Sequence, residues 1–349
     1  MLSAPTAQGG RGIRTAASAP TLRTGPLMAV RTRWTSVRSA VRSALAAAEP
    51  VPGQRGLQIC LGLLWLLDAA LQYQPFMFGP GFVTSGIEPA TAGNPAVIVS
   101  SVTWASQMML RHIAVYNAMF ATIQLLLAIG FFFRRTVKLA LAASIGWALS
   151  VWWFGESLGG ILTGTSPLAG LPGAVVLYAL IAIVLWPASA GAHEPASAAA
   201  SGALGNTGAN FVWLALWGGL AHYLLLPANR ASDAITHIFS AADGQPGWVA
   251  ATMASFAHAD AHRGTQVSVV LAVACAGVAL GVFSRRARRP ALVIAAGLGV
   301  LFWVAEGFGG IFTGQGTDPS TGPLLILLAA CYWQSPRHRS EKDLKISFT

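Results

Sequence analysis

Long uncharged apolar runs, separated by short basic clusters, dominate the chain. Between Gly56 and Ile87 the only charged residue is Asp68, and from Ile113 to Phe133 there is none. At 1.5 Å per residue, a run of about 20 apolar residues crosses the roughly 30 Å hydrocarbon layer of a bilayer. The pattern predicts eight transmembrane helices, near 57–76, 112–133, 138–156, 171–187, 209–226, 263–283, 290–306 and 322–335. The expected fold is therefore an all-α polytopic membrane protein.

The basic residues orient these spans. Arg31, Arg33, Arg38, Arg42 and Arg55 precede the first, Arg134, Arg135 and Lys138 follow the second, Arg285, Arg286, Arg288 and Arg289 follow the sixth, and Arg337-His338-Arg339 follow the eighth. With eight crossings all four clusters fall on one face, which the positive-inside rule makes cytoplasmic. Both termini are then expected in the cytoplasm of a cell-membrane protein.

The second half repeats the first. Trp152-Trp153-Phe154-Gly155-Glu156-Ser157-Leu158-Gly159-Gly160-Ile161-Leu162-Thr163-Gly164 aligns with Phe302-Trp303-Val304-Ala305-Glu306-Gly307-Phe308-Gly309-Gly310-Ile311-Phe312-Thr313-Gly314 at an offset of 150. Arg134-Arg135 matches Arg285-Arg286, and Asn94-Pro95 matches Gln245-Pro246, at 151. Trp65 and Pro75 match Trp217 and Pro227 at 152. So steady an offset predicts a tandem duplication, and an even number of spans per unit makes the two units parallel.

Composition agrees. Of 349 residues, 54% are apolar and 10% charged, against about 25% charged in an ordinary soluble domain. The formal charge of +10 sits in the clusters between spans, which excludes a nucleic-acid partner and makes the lipid bilayer the expected one. Cys60, Cys275 and Cys331 stand singly in apolar segments, so neither a disulfide framework nor a thiolate metal site is expected.

The expected organisation is a basic, disordered cytoplasmic segment at 1–55, repeats at 56–187 and 209–335, a linker at 188–208 and a solvated tail at 336–349. The first segment lacks the apolar stretch of a secretory signal; its composition suits a transit peptide, and Met28 offers a second start.

Each repeat has four spans, a long first outer loop with an amphipathic stretch, a basic turn between its second and third spans, and Gly-rich outer ends. The first span runs Leu57-Gln58-Ile59-Cys60-Leu61-Gly62-Leu63-Leu64-Trp65-Leu66-Leu67-Asp68-Ala69-Ala70. In topology and texture each unit resembles the DoxX-like superfamily, which includes small membrane subunits of thiosulfate:quinone oxidoreductase. The resemblance implies a four-helix fold and a redox-linked membrane setting, in which a quinone is a candidate ligand and other membrane or redox subunits are candidate partners; it implies no activity. The Glu-x-x-Gly-Gly-Ile-x-Thr-Gly repeat is not a hallmark of that family, so no site residue carries over.

The strongest candidate residues are Glu156 and Glu306, at the outer ends of the third spans. A carboxylate there costs several kcal/mol to desolvate unless it finds a donor, a cation or water. They are read as a ligand or proton site formed with Gly159, Gly160, Thr163, Gly309, Gly310 and Thr313, as caps of the adjoining Gly-rich turns, or as groups solvated at the interface. Arg111 and Arg263 stand at the outer starts of the second spans, where they can pair with these acids. Trp153 and Trp303 are expected as interfacial anchors or as a stacking surface for a planar ligand.

Asp68, in the middle of the first span, is read as a contact between helices or as part of a proton or substrate path. His258 and His262, four residues apart beside Asp260, suit a divalent metal if helical. The sequence has no P-loop, GxSxG elbow or HExxH. The leading function is a quinone-linked redox subunit, the one reading that uses both topology and resemblance; the alternatives are a transporter of a small solute or ion using the paired glutamates, and a metal-handling or scaffold protein. Whether the chain is an enzyme is left open as well.

Overall fold

The computed structural model describes residues 52–188, 197–240, 244–259 and 263–334. The basic N-terminal residues up to 51, much of the linker, Asp260, His262 and the C-terminal tail lie outside them. Among the described residues the chain is helical, with no strand.

The first half contains α1 (Pro52–Leu71), α2 (Ala96–Arg111), α3 (Ile113–Phe132), α4 (Val137–Phe154) and α5 (Ala174–Val184). After a one-turn helix at Ala198–Ser201 come α6 (Gly205–Leu224), α7 (Ala234–Ser240), α8 (Gly247–Ala259), α9 (Gly264–Gly281), α10 (Arg288–Ala305) and α11 (Thr321–Tyr332).

Four of these, α3, α4, α9 and α10, are long and apolar enough to cross a membrane. They turn large apolar side chains outward, among them Leu126, Leu139, Val273 and Val293, as a surface bathed by lipid does. This fits a multi-pass membrane protein. The other four expected spans differ in detail. Helices α1 and α6 are as long as the longest of the four, but α1 buries Gln54, Gln58 and Asp68 and α6 buries Asn210. Helix α1 also stops at Leu71, short of the expected 76, because Pro75 opens a separate turn.

Helices α5 and α11 have 11 and 12 residues, where 171–187 and 322–335 were expected to cross. At 1.5 Å per residue each covers about 16–18 Å, roughly half the hydrocarbon depth. Pro172-Gly173 and Pro319-Ser320 set their starts, with Gly173 and Ser320 at positive φ. Glycine-rich segments with short one-turn helices precede both. Both helices are buried on nearly every face and pack against each other at the centre.

The packing pattern is the same in each half. Helix α1 lies on α3 as α6 lies on α9, α4 lies on α5 as α10 lies on α11, and α3–α4 and α9–α10 are neighbours. Small residues permit the close approaches: a Cβ on Gly130 would press on Ala140, and one on Gly281 would overlap Ala291. The basic turns close in related ways. Thr136 donates its hydroxyl to the Gly130 carbonyl at 2.7 Å, and Arg288 donates twice to Val282 at 3.0 and 2.8 Å, satisfying carbonyls at the helix ends.

Aromatic pairs lock the centre. Trp65 packs against Tyr178 of α5 with tilted rings and centroids 4.2 Å apart, and Trp213 against Tyr332 of α11 at 4.6 Å. The Trp65 indole N–H donates to Ser144 Oγ at 2.9 Å, so its polar edge is satisfied inside the core. Outside this core, α2 buries Ile98, Val102, Ser106 and Met109 along one face over a satellite cluster with Met77, Phe82, Val83 and Ile87. Its other face exposes Val97, Trp104 and Met108.

Candidate functional site

The two Gly-rich motifs fold alike residue by residue. Left-handed backbone occurs at Ser157, Leu158, Gly159, Gly160 and Gly164, and again at Gly307, Phe308, Gly309, Gly310 and Gly314. In the first motif φ is 60° at Gly159, and a Cβ there would run into the Pro172 carbonyl. In the second φ is 67° at Gly309, and a Cβ would lie 2.8 Å from the Asp318 carbonyl. Glycine is thus required both for conformation and for close passage of the chain toward the central helices.

Each glutamate reaches past its own turn to the start of a central helix. Glu156 Oε1 accepts the Val175 N–H at 3.2 Å. Glu306 accepts the Thr321 N–H on Oε2 at 3.1 Å and the Thr321 hydroxyl on Oε1. The capping partner is therefore the first turn of α5 or α11, whereas the sequence pointed to the Gly-rich turn itself. The orphan N–H groups and positive end of a helix N-terminus explain the preference. Gly173 leaves room for the Glu156 carboxylate, which a Cβ would displace.

Glu156 and Glu306 line one cavity of about 810 Å³, together with Asp68 from α1 and Asp318 from the segment before α11. Gly159, Gly160, Thr163 and Gly309 also reach it, while Gly310, Thr313, Trp153 and Trp303 do not. The side wall is aromatic: Trp147 of α4 lies 5.5 Å from Phe120 of α3, which lies 6.4 Å from Tyr116. Trp104, Met108, Met119 and Phe154 also contribute and are exposed on the outer surface. Among the described residues no Lys, Arg or His lines the cavity.

Polar groups facing this space are mostly acceptors left open. Asp68 is 2% exposed, and its Oδ1 has no hydrogen-bond partner. Gln72 Oε1, Gln124 Oε1 and Glu156 Oε2 also make no hydrogen bond of ordinary geometry, and neither does the buried Trp147 N–H. Tyr178 interacts with Asp68, but its hydroxyl makes no hydrogen bond of ordinary geometry. Asp318 is better served: its Oδ1 accepts the Ser320 N–H at 2.7 Å and its Oδ2 the Thr317 hydroxyl at 2.8 Å.

The acids beyond the helix ends are half-buried at the cavity wall, and their charges repel one another. Burial, then the charge of Asp318, lifts the Glu156 carboxyl well above the usual range. Burial lifts Glu306 to about 8, against the pull of its two Thr321 hydrogen bonds. Asp318 is raised by burial despite the Ser320 and Thr317 donors.

Other candidates lie apart from this group. Arg111 and Arg263 are exposed and form no ion pair with Glu156 or Glu306; the salt bridge found among the described residues is His237–Asp233 at 3.2 Å. An arginine at the outer surface keeps its hydration by staying there. Trp153 donates to Ser101 Oγ at 3.0 Å, fixing α2 to α4, and Trp303 packs edge-on to Phe308 at 5.1 Å. Both serve packing between elements. His258 is exposed, His262 lies outside the described residues, and no group of three or more metal-ligating side chains occurs among those described.

Asp318, Gln72 and Gln124 were missed in the sequence. Asp318 carried a signal: it is one of 12 acids in the whole chain and sits where the repeat offset breaks. Comparison of the chain with family models, curated proteins and solved structures finds no match.

Proposed function

We propose that the chain is a transporter of a small solute in the cell membrane, with two parallel DoxX-like four-helix repeats, eight crossings and both termini in the cytoplasm. The duplication is supported by matched left-handed positions in the two motifs, by the shared helix packing, and by the Gly130–Ala140 and Gly281–Ala291 contacts. In this reading α1, α5, α6 and α11 make the remaining crossings, with protein rather than lipid around the polar residues they carry.

The observation that carries the proposal is the cavity of about 810 Å³ with acids from both halves on its wall. Its volume falls in the range of small-molecule sites. Uptake into proteoliposomes tests it across cationic, neutral and anionic solutes. Accumulation of one class above empty vesicles, abolished by the cavity-filling Ala105→Trp, is the expected result. Equal uptake with and without protein for every class overturns it.

A second reading, a quinone-linked redox subunit, is favoured by the exposed apolar side chains Trp104, Met108, Met119 and Phe154 at the cavity. They would admit a lipid-borne ring from the bilayer. Protein-dependent quinol oxidation in membranes, together with inert proteoliposomes, selects this reading over transport.

A further inference from the structure

We infer that the solute is an organic monocation, an ammonium group carried on an apolar body. The inference rests on the solute-binding reading above and adds the chemical class of what binds. Asp68, Glu156, Glu306 and Asp318 border one space, and among the described residues no basic side chain neutralises them. An anion would be repelled by each of these acids that is ionised, with no cation among the described wall residues to offset it. A neutral apolar solute would leave Asp68 Oδ1 and Glu156 Oε2 as they stand, buried and without a hydrogen bond of ordinary geometry.

A bare metal ion fits poorly too, because the described acids do not converge as a group of three or more ligands. The remaining wall matches the other part of such a molecule. Trp65, Phe120 and Trp147 offer ring surfaces, which attract a cation through their quadrupoles and an alkyl body through burial. Gln72 and Gln124 add amide oxygens without partners, placed to accept N–H hydrogen bonds.

The test uses two probes of nearly the same shape, 1-adamantylammonium and 1-adamantanol. Both donate hydrogen bonds, so charge is what separates them. Their binding to the full chain in detergent is measured by titration calorimetry at mildly alkaline pH. The expected result is that the ammonium binds at least about tenfold more tightly than the alcohol. Asp68→Asn and Glu156→Gln are expected to erase that preference while leaving the melting temperature close to that of the parent.

Equal affinity for the two probes, within about threefold, overturns the cation assignment and leaves the solute-binding reading standing. Binding of neither probe overturns both. The comparison on the unaltered protein decides the matter even if a variant fails to fold.

Discussion

Thr321 holds Glu306 at two points, through its backbone N–H at 3.1 Å and through its hydroxyl, at the first residue of α11. The matching acid, Glu156, accepts the Val175 N–H at 3.2 Å and lies near the Ala174 N–H, but its Oε2 makes no hydrogen bond of ordinary geometry. Two glutamates equivalent in sequence are thus unequal in structure. Glu306 is tied into the fold, while Glu156 keeps an acceptor for something else.

This difference predicts opposite mutational behaviour. Thr321→Val removes the hydroxyl and leaves a carboxylate oxygen half-buried and unpaired, a loss of about 1–3 kcal/mol. Glu156→Gln retains an acceptor for Val175 and is expected to cost less than about 1 kcal/mol while impairing solute binding. Thermal unfolding in detergent, followed by near-ultraviolet circular dichroism, ranks the two. Equal destabilisation would contradict the assignment of separate roles.

Glycine substitutions discriminate the loops from the helices. Gly159→Ala and Gly309→Ala combine an unfavourable left-handed backbone, about 1–2 kcal/mol, with overlap onto a neighbouring backbone carbonyl. Both are expected to lower yield and melting temperature sharply. Gly146→Ala in α4 and Gly277→Ala in α9 meet no atom within 4 Å and gain helix propensity. They are expected to stabilise by about 0.5–1 kcal/mol. A set of four equal shifts would remove the argument that the motifs are conformational.

Much of this arrangement was legible in the chain, because hydrophobic run length and charge placement report directly on the solvent each segment meets. The runs at 112–133 and 138–156 coincide closely with α3 and α4. The runs at 171–187 and 322–335 outlast α5 and α11, because buried apolar loop and buried apolar helix look alike in composition. The Glu motifs stood out as rare charges, but their partners could not be read from spacing, since Val175 and Thr321 lie 19 and 15 residues further on. Gln72 and Gln124 were invisible for a related reason: an uncharged amide in an apolar run gives no sign that it faces a cavity.

Stability should fall as pH rises. Glu306 goes from 4.5 in the unfolded chain to about 8 in the folded protein, so the native state holds its proton more tightly. Below 4.5 both states are protonated and the group contributes no difference. Between 4.5 and about 8 the unfolded chain has released a proton that the folded protein retains, and stability declines across that window. The upward shifts of Glu156 and Asp318 act in the same direction. Melting temperature in detergent, measured from mildly acidic to mildly alkaline pH, is expected to fall, and less steeply in Glu306→Gln. A rising curve would show that the acids are stabilised as carboxylates by a cation.

The eight-crossing reading makes a sharp topological prediction. Arg135 and Arg286 lie in exposed turns after α3 and after α9, and an even number of crossings between them puts both on the cytoplasmic face. Thr163 and Gln315 lie in the two glycine-rich segments at the opposite ends of α4 and α10, where both are exposed. Replacing Cys60, Cys275 and Cys331 and introducing one cysteine at each of the four positions makes a membrane-impermeant maleimide report sidedness. Labelling of Arg135→Cys and Arg286→Cys from the cytoplasmic side, and of Thr163→Cys and Gln315→Cys from the other, is the expected outcome. If Arg135→Cys and Arg286→Cys react from different sides, an odd number of crossings separates them. One of the short or polar helices then fails to span, and the parallel relation of the two repeats falls with it, because parallel units require each half to return to its starting face.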